Sequence, residues 1–233
     1  MIGIVIPACN EEQYLTACLN AVRRAIDYVH LHHDIQTLIE PLVVLDACVD
    51  RSLAIVQSMN FPYLQCNARK VGVTRDLGVR HLIDKGATWI ACSDADSCVH
   101  ENWLFEQIKL QPVDVVCGVV EIADWGNLSV DVRTRYLDHY QDCMGHRHVH
   151  GANLSFSAEV YLNAGGFDAV TCHEDVRLVE RLKSLNCDIA WSNQVRVTTS
   201  SRLDARAPEG FSNFLSQLEF EQTHPELSPK DFG

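Results

Sequence analysis

The chain has 233 residues, of which 47% are hydrophobic, and its 31 acidic and 19 basic side chains give a formal net charge of -12. This length is sufficient to bury a sizeable core. The acidic surplus excludes a general binder of nucleic-acid backbones, because such a protein needs a basic face, but it permits a local basic pocket for one small phosphorylated ligand.

Short apolar runs alternate with helical patterns through the first half of the chain. This β-α-β-α order predicts a mainly parallel sheet with helices on both faces. The predicted strands lie at 3–7, 41–46, 62–66 and 87–94, and the predicted helices at 11–29, 50–59, 72–85 and 101–110.

The second half is less regular, and residues 124–150 show only weak periodicity. Strands are predicted at 113–122 and 150–157, followed by a short helix at 158–167, a strong helix at 174–187 and two short strands within 188–199. One more helix is predicted at 211–220, before a proline-containing tail.

The N-terminal sequence MIGIVIPACNEEQ lacks the basic start of a secretory signal, and its apolar run ends at Pro7. No apolar stretch approaches the ~20 residues that span a bilayer. We therefore expect a protein without an integral membrane segment, with the cytoplasm as its default compartment. The ten cysteines include no C-x-x-C pair, which favours reduced thiols that pack as small hydrophobic side chains.

Acidic and polar clusters follow three predicted strands, at residues 7–12, 46–50 and 94–96. Open α/β sheets bind ligands beyond the carboxyl ends of their strands, and parallel strands would bring the three clusters to one edge. Carboxylates that meet repel one another unless a cation joins them, and oxygen ligands suit Mg²⁺ or Mn²⁺. The sequence Asp94-Ala95-Asp96 therefore indicates a metal that binds a phosphorylated substrate. The alternative is a solvated loop, or a helix N-cap at Asp96 or Ser97.

Five segments in register resemble the family 2 glycosyltransferases of the GT-A fold. They are IVIPACNEEQYLTACLNAV, VVLDACVDRS, ARKVGVTRDLGVRHLIDKGATWIACSDADS, HGANLSFSAEVYLNAGGF and HEDVRL, and they extend over about residues 2–202. The resemblance implies an α/β, Rossmann-like fold in a single domain, residues 1–233. Its nucleotide-binding half would lie at about 1–110, its acceptor-binding half at about 111–207, and a C-terminal helix and tail at 208–233.

The same resemblance implies transfer of a sugar from a UDP- or GDP-sugar to a hydroxyl acceptor, assisted by Mn²⁺ or Mg²⁺ and with inversion. The acceptor would be a small molecule, a glycan or a lipid-linked molecule. Matching to the family motifs makes Asp96 the direct metal ligand with Asp94 beside it, and it makes Asp175 the general base with Glu174 beside it. The implied nucleotide-sugar-binding residues are Pro7, Ala8, Glu11, Asp46, Asp50, Arg69, Lys70, Arg75, Asp94 and Ala95. Arg202 is a further candidate for the diphosphate on chemical grounds, because arginine pairs well with phosphate oxygens.

Several departures from the family pattern leave alternatives open. Relatives often have DDGS-x-D where this chain has LDACVD, which leaves the donor base undecided. The stretch VTTSSRLDAR has no histidine where metal-dependent members place a further ligand, so the third metal ligand is undecided. Glu174 and Asp175 also suit a helix start, and Arg202 also suits a surface ion pair with Asp204 or Glu209.

Histidines 139, 146, 148 and 150 lie in the segment DHYQDCMGHRHVHGAN. H-x-H-x-H on an extended chain alternates faces, which favours an acceptor-site loop over a zinc site. Trp125, Tyr136 and Tyr140 would either stack on an acceptor or pack in the core.

Two other functions compete with glycosyl transfer. A sugar-phosphate nucleotidyltransferase also uses a Rossmann-like sheet and a metal, but PACNEEQ lacks the glycine of a phosphate loop. A catalytically silent nucleotide-sugar-binding domain is disfavoured because both carboxylate pairs are intact.

Overall fold

The structure is a computed structural model that describes residues 1–32, 37–122, 125 and 130–200. Its strands are β1 Ile2–Ala8, β2 Ile39–Asp46, β3 Tyr63–Cys66, β4 Trp89–Cys92, β5 Ser97–Val99, β6 Val115–Ile122, β7 Leu154–Ser157 and β8 Ile189–Thr199. Its helices are α1 Leu15–His32, α2 Ser52–Ser58, α3 Val71–Asp84, α4 Trp103–Leu110, α5 Val130–His139, α6 Ala158–Asn163 and α7 Glu174–Ser184, with a 3₁₀ turn at Gly151–Asn153.

The strands form one sheet in the order β3-β2-β1-β4-β7-β6-β8-β5. Strands β1 to β4 are parallel, β7 runs antiparallel between β4 and β6, and β8 is parallel to β6. Strand β5 is antiparallel to β8 at the end of the sheet. The mainly parallel α/β sheet predicted from the sequence is therefore confirmed, and the carboxyl ends of β1, β2, β3, β4, β6 and β8 lie at one edge.

Helices cover both faces of the sheet. Ile4 and Ile6 of β1 pack with α1, α2 and α4, whereas Val5 packs with α3, α6 and α7. These three side chains are fully buried, and burial of each contributes ~1.5–3 kcal/mol. A strand with apolar side chains on both faces explains the continuous run GIVIP, because buried parallel strands lack polar alternation.

Helix α3 lies close against the sheet because Gly78 has no side chain. A Cβ at this position would come within 2.8 Å of methyl groups of Val5 and Val44. Arg75, Val79 and Leu82 share the buried face of this helix. The close approach therefore carries Arg75 below the protein surface, at the carboxyl edge of the sheet.

The structure differs from the predicted elements mainly in the second half, and in the first half at β5. The region 188–199, predicted as two short strands, contains the single strand β8, Ile189–Thr199. Its register against β6 shifts between Gly118 and Val119, and this irregularity explains why the pattern resembled two strands. Helix α5 and strand β5 were not predicted. The predicted helix at 211–220 lies outside the described residues.

All ten cysteines are free thiols. In the described ranges, none of the helices combines the length and apolar character needed to cross a membrane.

Candidate active site

The loops after β1 and β2 are joined by hydrogen bonds from one loop to the other. Asn10 Oδ1 accepts from the backbone N of Val49 at 2.8 Å, and Asp50 Oδ2 accepts from the backbone N of Glu12 at 2.9 Å. Asp50 Oδ1 also accepts from the backbone N of Ser52 at 2.9 Å. Burial raises the pKa of Asp50, but these bonds outweigh it and hold the pKa below its usual value. One carboxylate oxygen of Asp50 therefore binds the loop after β1, and the other binds the backbone at the start of α2.

Three other residues predicted to bind the donor lie on β1 or directly after it. Pro7 and Ala8 are buried inside the strand. Glu11 is 6% exposed, and its backbone N donates to Ser52 Oγ at 2.9 Å. Its carbonyl accepts from the backbone N of Leu15, which begins α1. The backbone of Glu11 therefore links the end of β1 to the first residues of α1 and α2.

Asp46 ends β2 and organises the chain that follows β3. Its Oδ1 accepts from the backbone N of Ala68 at 2.8 Å and of Arg69 at 3.0 Å, and its Oδ2 accepts from Thr74 Oγ1 at 2.8 Å. Burial raises the pKa of this carboxyl, but the three hydrogen bonds prevail and the pKa is lowered. Asp46 therefore stays ionised and fixes the loop that carries Arg69.

Arg69 and Lys70 are exposed cations at the same edge. Arg69 Nε donates to Asn67 Oδ1 at 3.3 Å, and Lys70 Nζ donates to the carbonyl of Ala169 at 3.0 Å. Both positive charges are accessible to a solvent-borne anion.

Left-handed backbone conformations concentrate at this edge. Four of the six described non-glycine residues with positive φ follow strand ends here or precede α7: Asn10 at 55°, Ala47 at 50°, Arg69 at 51° and His173 at 60°. Such conformations are costly for residues with a side chain and occur often at functional sites. This feature marks the edge independently of any motif.

Asp94, Ala95 and Asp96 follow β4, as predicted. Asp94 is half-buried and pairs with Arg75 through Oδ1 and Nη2 at 2.5 Å. Asp96 Oδ1 accepts from Ser97 Oγ at 3.2 Å. Ala95 is 2% exposed, so it packs inward between two carboxylates at the edge.

Helix α7 begins with Glu174 and Asp175 at the same edge. Glu174 is buried and ion-paired to Arg75. Burial raises the pKa of Glu174, and the Arg75 charge opposes that rise. Asp175 Oδ2 accepts from the backbone N of Gly151 at 2.7 Å, and its Oδ1 accepts from the backbone N of Val176 at 2.8 Å. The two predicted carboxylate pairs are thus joined through one guanidinium.

The carboxylates fit a hard divalent cation only in part. Within the described ranges, no three His, Cys, Asp or Glu side chains are grouped to hold a metal ion. Mg²⁺, however, is commonly held by one or two carboxylates plus waters and substrate phosphates. The oxygen donors of Asp96 and Asp94 fit that type of site, in which a diphosphate supplies the remaining ligands.

The histidine segment forms a stacked cluster with Tyr140. The Tyr140 and His148 rings lie 4.2 Å apart and are nearly parallel, and Tyr140 also stacks on Tyr136 at 5.1 Å. His148 Nε2 accepts from the backbone N of Gln141 at 3.0 Å, and His146 is buried. Tyr140 therefore stacks on other side chains of the protein. Trp125 packs edge-on against Tyr136.

Not every predicted residue can be placed. Arg202 and residues 208–233 lie outside the described residues, and so does the side chain of His139. The linking role of Arg75 was not predicted. Its signal was its position on the apolar stripe of α3 with Val79 and Leu82, because an arginine on such a stripe is buried with the core.

Comparison with solved structures finds the same fold in glycosyltransferases. S. aureus TarS in complex with UDP-GlcNAc is 14% identical, with a TM-score of 0.67 over 99% of this chain and 74% of that chain. The mannosyltransferase PcManGT from Pyrobaculum calidifontis, in complex with GDP-Man and Mn²⁺, is 14% identical, with a TM-score of 0.58 over 97% of this chain and 63% of that chain. At such low identity these likenesses establish the fold alone.

Comparison with curated proteins gives no match. The family model described as Glycosyl transferase family 2, in contrast, matches residues 3–164. This match covers β1 to α6, including the Asp94-Ala95-Asp96 edge, and it spans well over half of the chain. The chain therefore belongs to glycosyltransferase family 2.

Proposed function

We propose that this glycosyltransferase moves a sugar from a UDP- or GDP-sugar to a hydroxyl acceptor, with a divalent metal and with inversion. One observation carries the proposal. The carboxylates after β4 and those at the start of α7 meet at one edge of the sheet around Arg75. A donor-side pair and an acceptor-side pair at one edge suit a reaction between two substrates.

The donor would occupy the crevice beyond β1, β2 and β3. The joined loops around Asn10 and Asp50, together with the loop fixed by Asp46, form its walls. Arg69 and Lys70 would attract the diphosphate, because both cations are exposed at this edge. One structural neighbour binds UDP-GlcNAc and the other binds GDP-Man. This supports a nucleotide sugar as the donor and is consistent with either base.

Asp96 would hold Mn²⁺ or Mg²⁺, with Asp94 beside it. When bound, such an ion acts as a Lewis acid that offsets the charge of the leaving diphosphate. The Mn²⁺ in the Pyrobaculum calidifontis structure supports this cofactor.

Asp175 would act as the general base. The acceptor oxygen forms a bond to the anomeric carbon as the bond from that carbon to the diphosphate oxygen breaks. The nucleoside diphosphate leaves with the bonding electron pair, and the acceptor proton passes to the Asp175 carboxylate. Such a single displacement inverts the anomeric centre. The N–H groups of Gly151 and Val176 fix the position of the Asp175 carboxylate at the N-terminus of α7.

The acceptor is proposed only as a class: a small molecule, a glycan or a lipid-linked molecule. It would approach from the side of α7 and the 3₁₀ turn, where Asp175 and Gly151 meet.

Calorimetry tests this proposal. UDP, GDP, UDP-GlcNAc and GDP-mannose are titrated with and without Mn²⁺, and release of the nucleoside diphosphate is then measured with water and with a panel of acceptors. We expect metal-enhanced binding of one base type and slow release of its diphosphate. If no nucleoside diphosphate binds with Mn²⁺ present, the proposal is wrong. Pyrophosphate release from a nucleoside triphosphate and a sugar phosphate would indicate a nucleotidyltransferase, and binding without turnover would indicate a silent domain.

A further inference from the structure

Arg75 is the most deeply buried charge near the proposed site, being 3% exposed. Its Nη2 contacts Asp94 Oδ1 at 2.5 Å, and its Nη1 contacts Glu174 Oε1. Its Nε is buried and has no hydrogen-bond partner among the described residues. The guanidinium is therefore buried, and its two terminal nitrogens pair with a carboxylate of the loop after β4 and with one at the start of α7.

The 3₁₀ turn lies directly against this guanidinium. A Cβ added at Gly151 would come within 2.4 to 2.6 Å of the guanidinium atoms of Arg75. The N–H of the same glycine donates to Asp175 Oδ2 at 2.7 Å. Gly151 therefore packs on Arg75 through its α-carbon and holds the proposed base through its backbone.

Asp175 is thus tied to Arg75 by two routes. One route runs along the chain, because Asp175 directly follows Glu174, which pairs with Arg75. The other runs through Gly151. A shift of the guanidinium would move both supports of the base together.

We infer that Arg75 is a positioning residue for the transfer step, one that sets Asp175 and Asp94 relative to each other, and that it does not contact the donor. The inference rests on the proposed function. It differs from the family-based expectation for this residue, which placed Arg75 with the nucleotide-binding side chains. An arginine suits this position because its planar fork engages two carboxylates at fixed geometry, whereas a lysine ammonium is a single point charge.

Burial of the ion pair between Arg75 and Glu174 explains why replacement of Arg75 should displace Asp175. Glu174 and Arg75 are both buried, and breaking a buried ion pair leaves a charge without its partner in a medium of low polarity. Replacement of Arg75 by lysine keeps one positive charge but loses the bridge. The Glu174 carboxylate then rotates or takes up a proton, and Asp175 moves with the first turn of α7.

Two variants test the inference by different means. Arg75→Lys breaks the bridge and keeps the charge. Gly151→Ala keeps every charge and pushes the guanidinium aside with one methyl group. The donor Kd is measured by calorimetry with Mn²⁺ and UDP-GlcNAc or GDP-mannose, whichever the wild-type protein binds, and kcat is measured as nucleoside diphosphate release.

For both variants we expect kcat to fall by about 10²-fold, because a misplacement of about 1 Å has that effect. The donor Kd should change by less than about threefold. In Arg75→Lys a single ammonium cannot contact both carboxylates, so it opposes the burial-raised pKa of Glu174 less well than the guanidinium does, and the acid limb of the kcat profile should move to higher pH. A merely structural loss of stability does not shift a pH profile.

Arg80→Lys is the matched control. Arg80 lies on the same helix, its side chain is 47% exposed, and it pairs with Asp76 at 2.7 Å. This variant should keep the wild-type Kd and kcat.

Two results would overturn the inference. A donor Kd that weakens in proportion to the loss of kcat/KM in Arg75→Lys would make Arg75 a donor-binding residue. A wild-type kcat in folded Gly151→Ala would show that the guanidinium does not position the base. Failure of the proposed function is recognised separately, because the wild-type protein itself would then bind no nucleotide sugar or release no diphosphate.

Discussion

Replacement of Asp175 by asparagine separates the proposed base from its structural role. Both carboxylate oxygens accept backbone N–H groups, from Gly151 at 2.7 Å and from Val176 at 2.8 Å. The amide nitrogen of asparagine cannot accept, so one of these bonds is lost, at a cost of ~1–3 kcal/mol in stability. Loss of a general base lowers the rate by about 10²- to 10⁴-fold, which corresponds to ~2.7–5.4 kcal/mol in activation free energy. The catalytic effect should therefore exceed the structural one.

The assay compares Asp175→Asn with wild type and with Glu180→Gln. Glu180 lies on the exposed side of the same helix, with a side chain 62% exposed, and pairs with Lys183 at 2.8 Å. We expect both variants to bind the donor and Mn²⁺ as wild type does, and only Asp175→Asn to lose nucleoside diphosphate release. A folded Asp175→Asn protein that turns over within about threefold of wild type would remove Asp175 as the base.

Three further results are expected. Asp96→Ala should reduce the Mn²⁺-dependent gain in nucleoside-diphosphate affinity by about 10-fold or more, which calorimetry with and without the ion measures; an undiminished gain would place the metal elsewhere. Asn153→Ala should lower the free energy of unfolding in urea by ~2–5 kcal/mol, because Asn153 accepts from the Trp103 indole at 2.8 Å and donates to two backbone carbonyls at 2.7 and 2.9 Å; a loss below about 1 kcal/mol would contradict that role. Burial lowers the pKa of His150 to about 3. Because the unfolded histidine titrates near 6.5, only the unfolded state takes up this proton between the two values, so stability should fall by up to ~2 kcal/mol from pH 7.5 to pH 5. The fall should be smaller in His150→Gln, and equal falls in both proteins would exclude His150 as its source.

The sequence predicts the first half of the fold well for a physical reason. Strands buried on both faces appear as short continuous apolar runs, and the helices between them carry apolar stripes. The topology then fixes where the acidic clusters meet, because parallel strands bring their carboxyl ends to one edge. Asp46, Asp94 and Asp96 lie there in the structure.

The second half lacks these signals. Helix α5 exposes Val130 and Leu137, by 78% and 55%, and it buries Tyr136. Such a helix has no apolar stripe for periodicity to detect. Strand β5, although it lies in the first half, also escapes prediction: it is only three residues long, and it forms by pairing with β8, a segment far away in the chain.

The role of Arg75 depends on tertiary contacts in the same way. In the sequence ARKVGVTRD, Arg69, Lys70 and Arg75 form one basic stretch. Helix α3 begins at Val71. Arg69 and Lys70 precede the helix and are exposed, whereas Arg75 lies about one turn into the helix, on its buried face. The basic composition of this stretch does not show which cation is buried. The position of each residue relative to the apolar stripe of α3 does show it.

The balance of charges at the sheet edge bears on the proposed metal. Arg75 has one positive charge and faces the carboxyl groups of Asp94 and Glu174, with Asp175 next in the chain. Asp96 adds a further carboxylate nearby. A nucleoside diphosphate brought to this edge meets a negative surplus, which the exposed Arg69 and Lys70 offset in part. Like charges repel one another at such an edge, and solvent screens the repulsion only in part. The proposed cation beside Asp96 would offset this surplus, whereas Arg75 is already paired with Asp94 and Glu174.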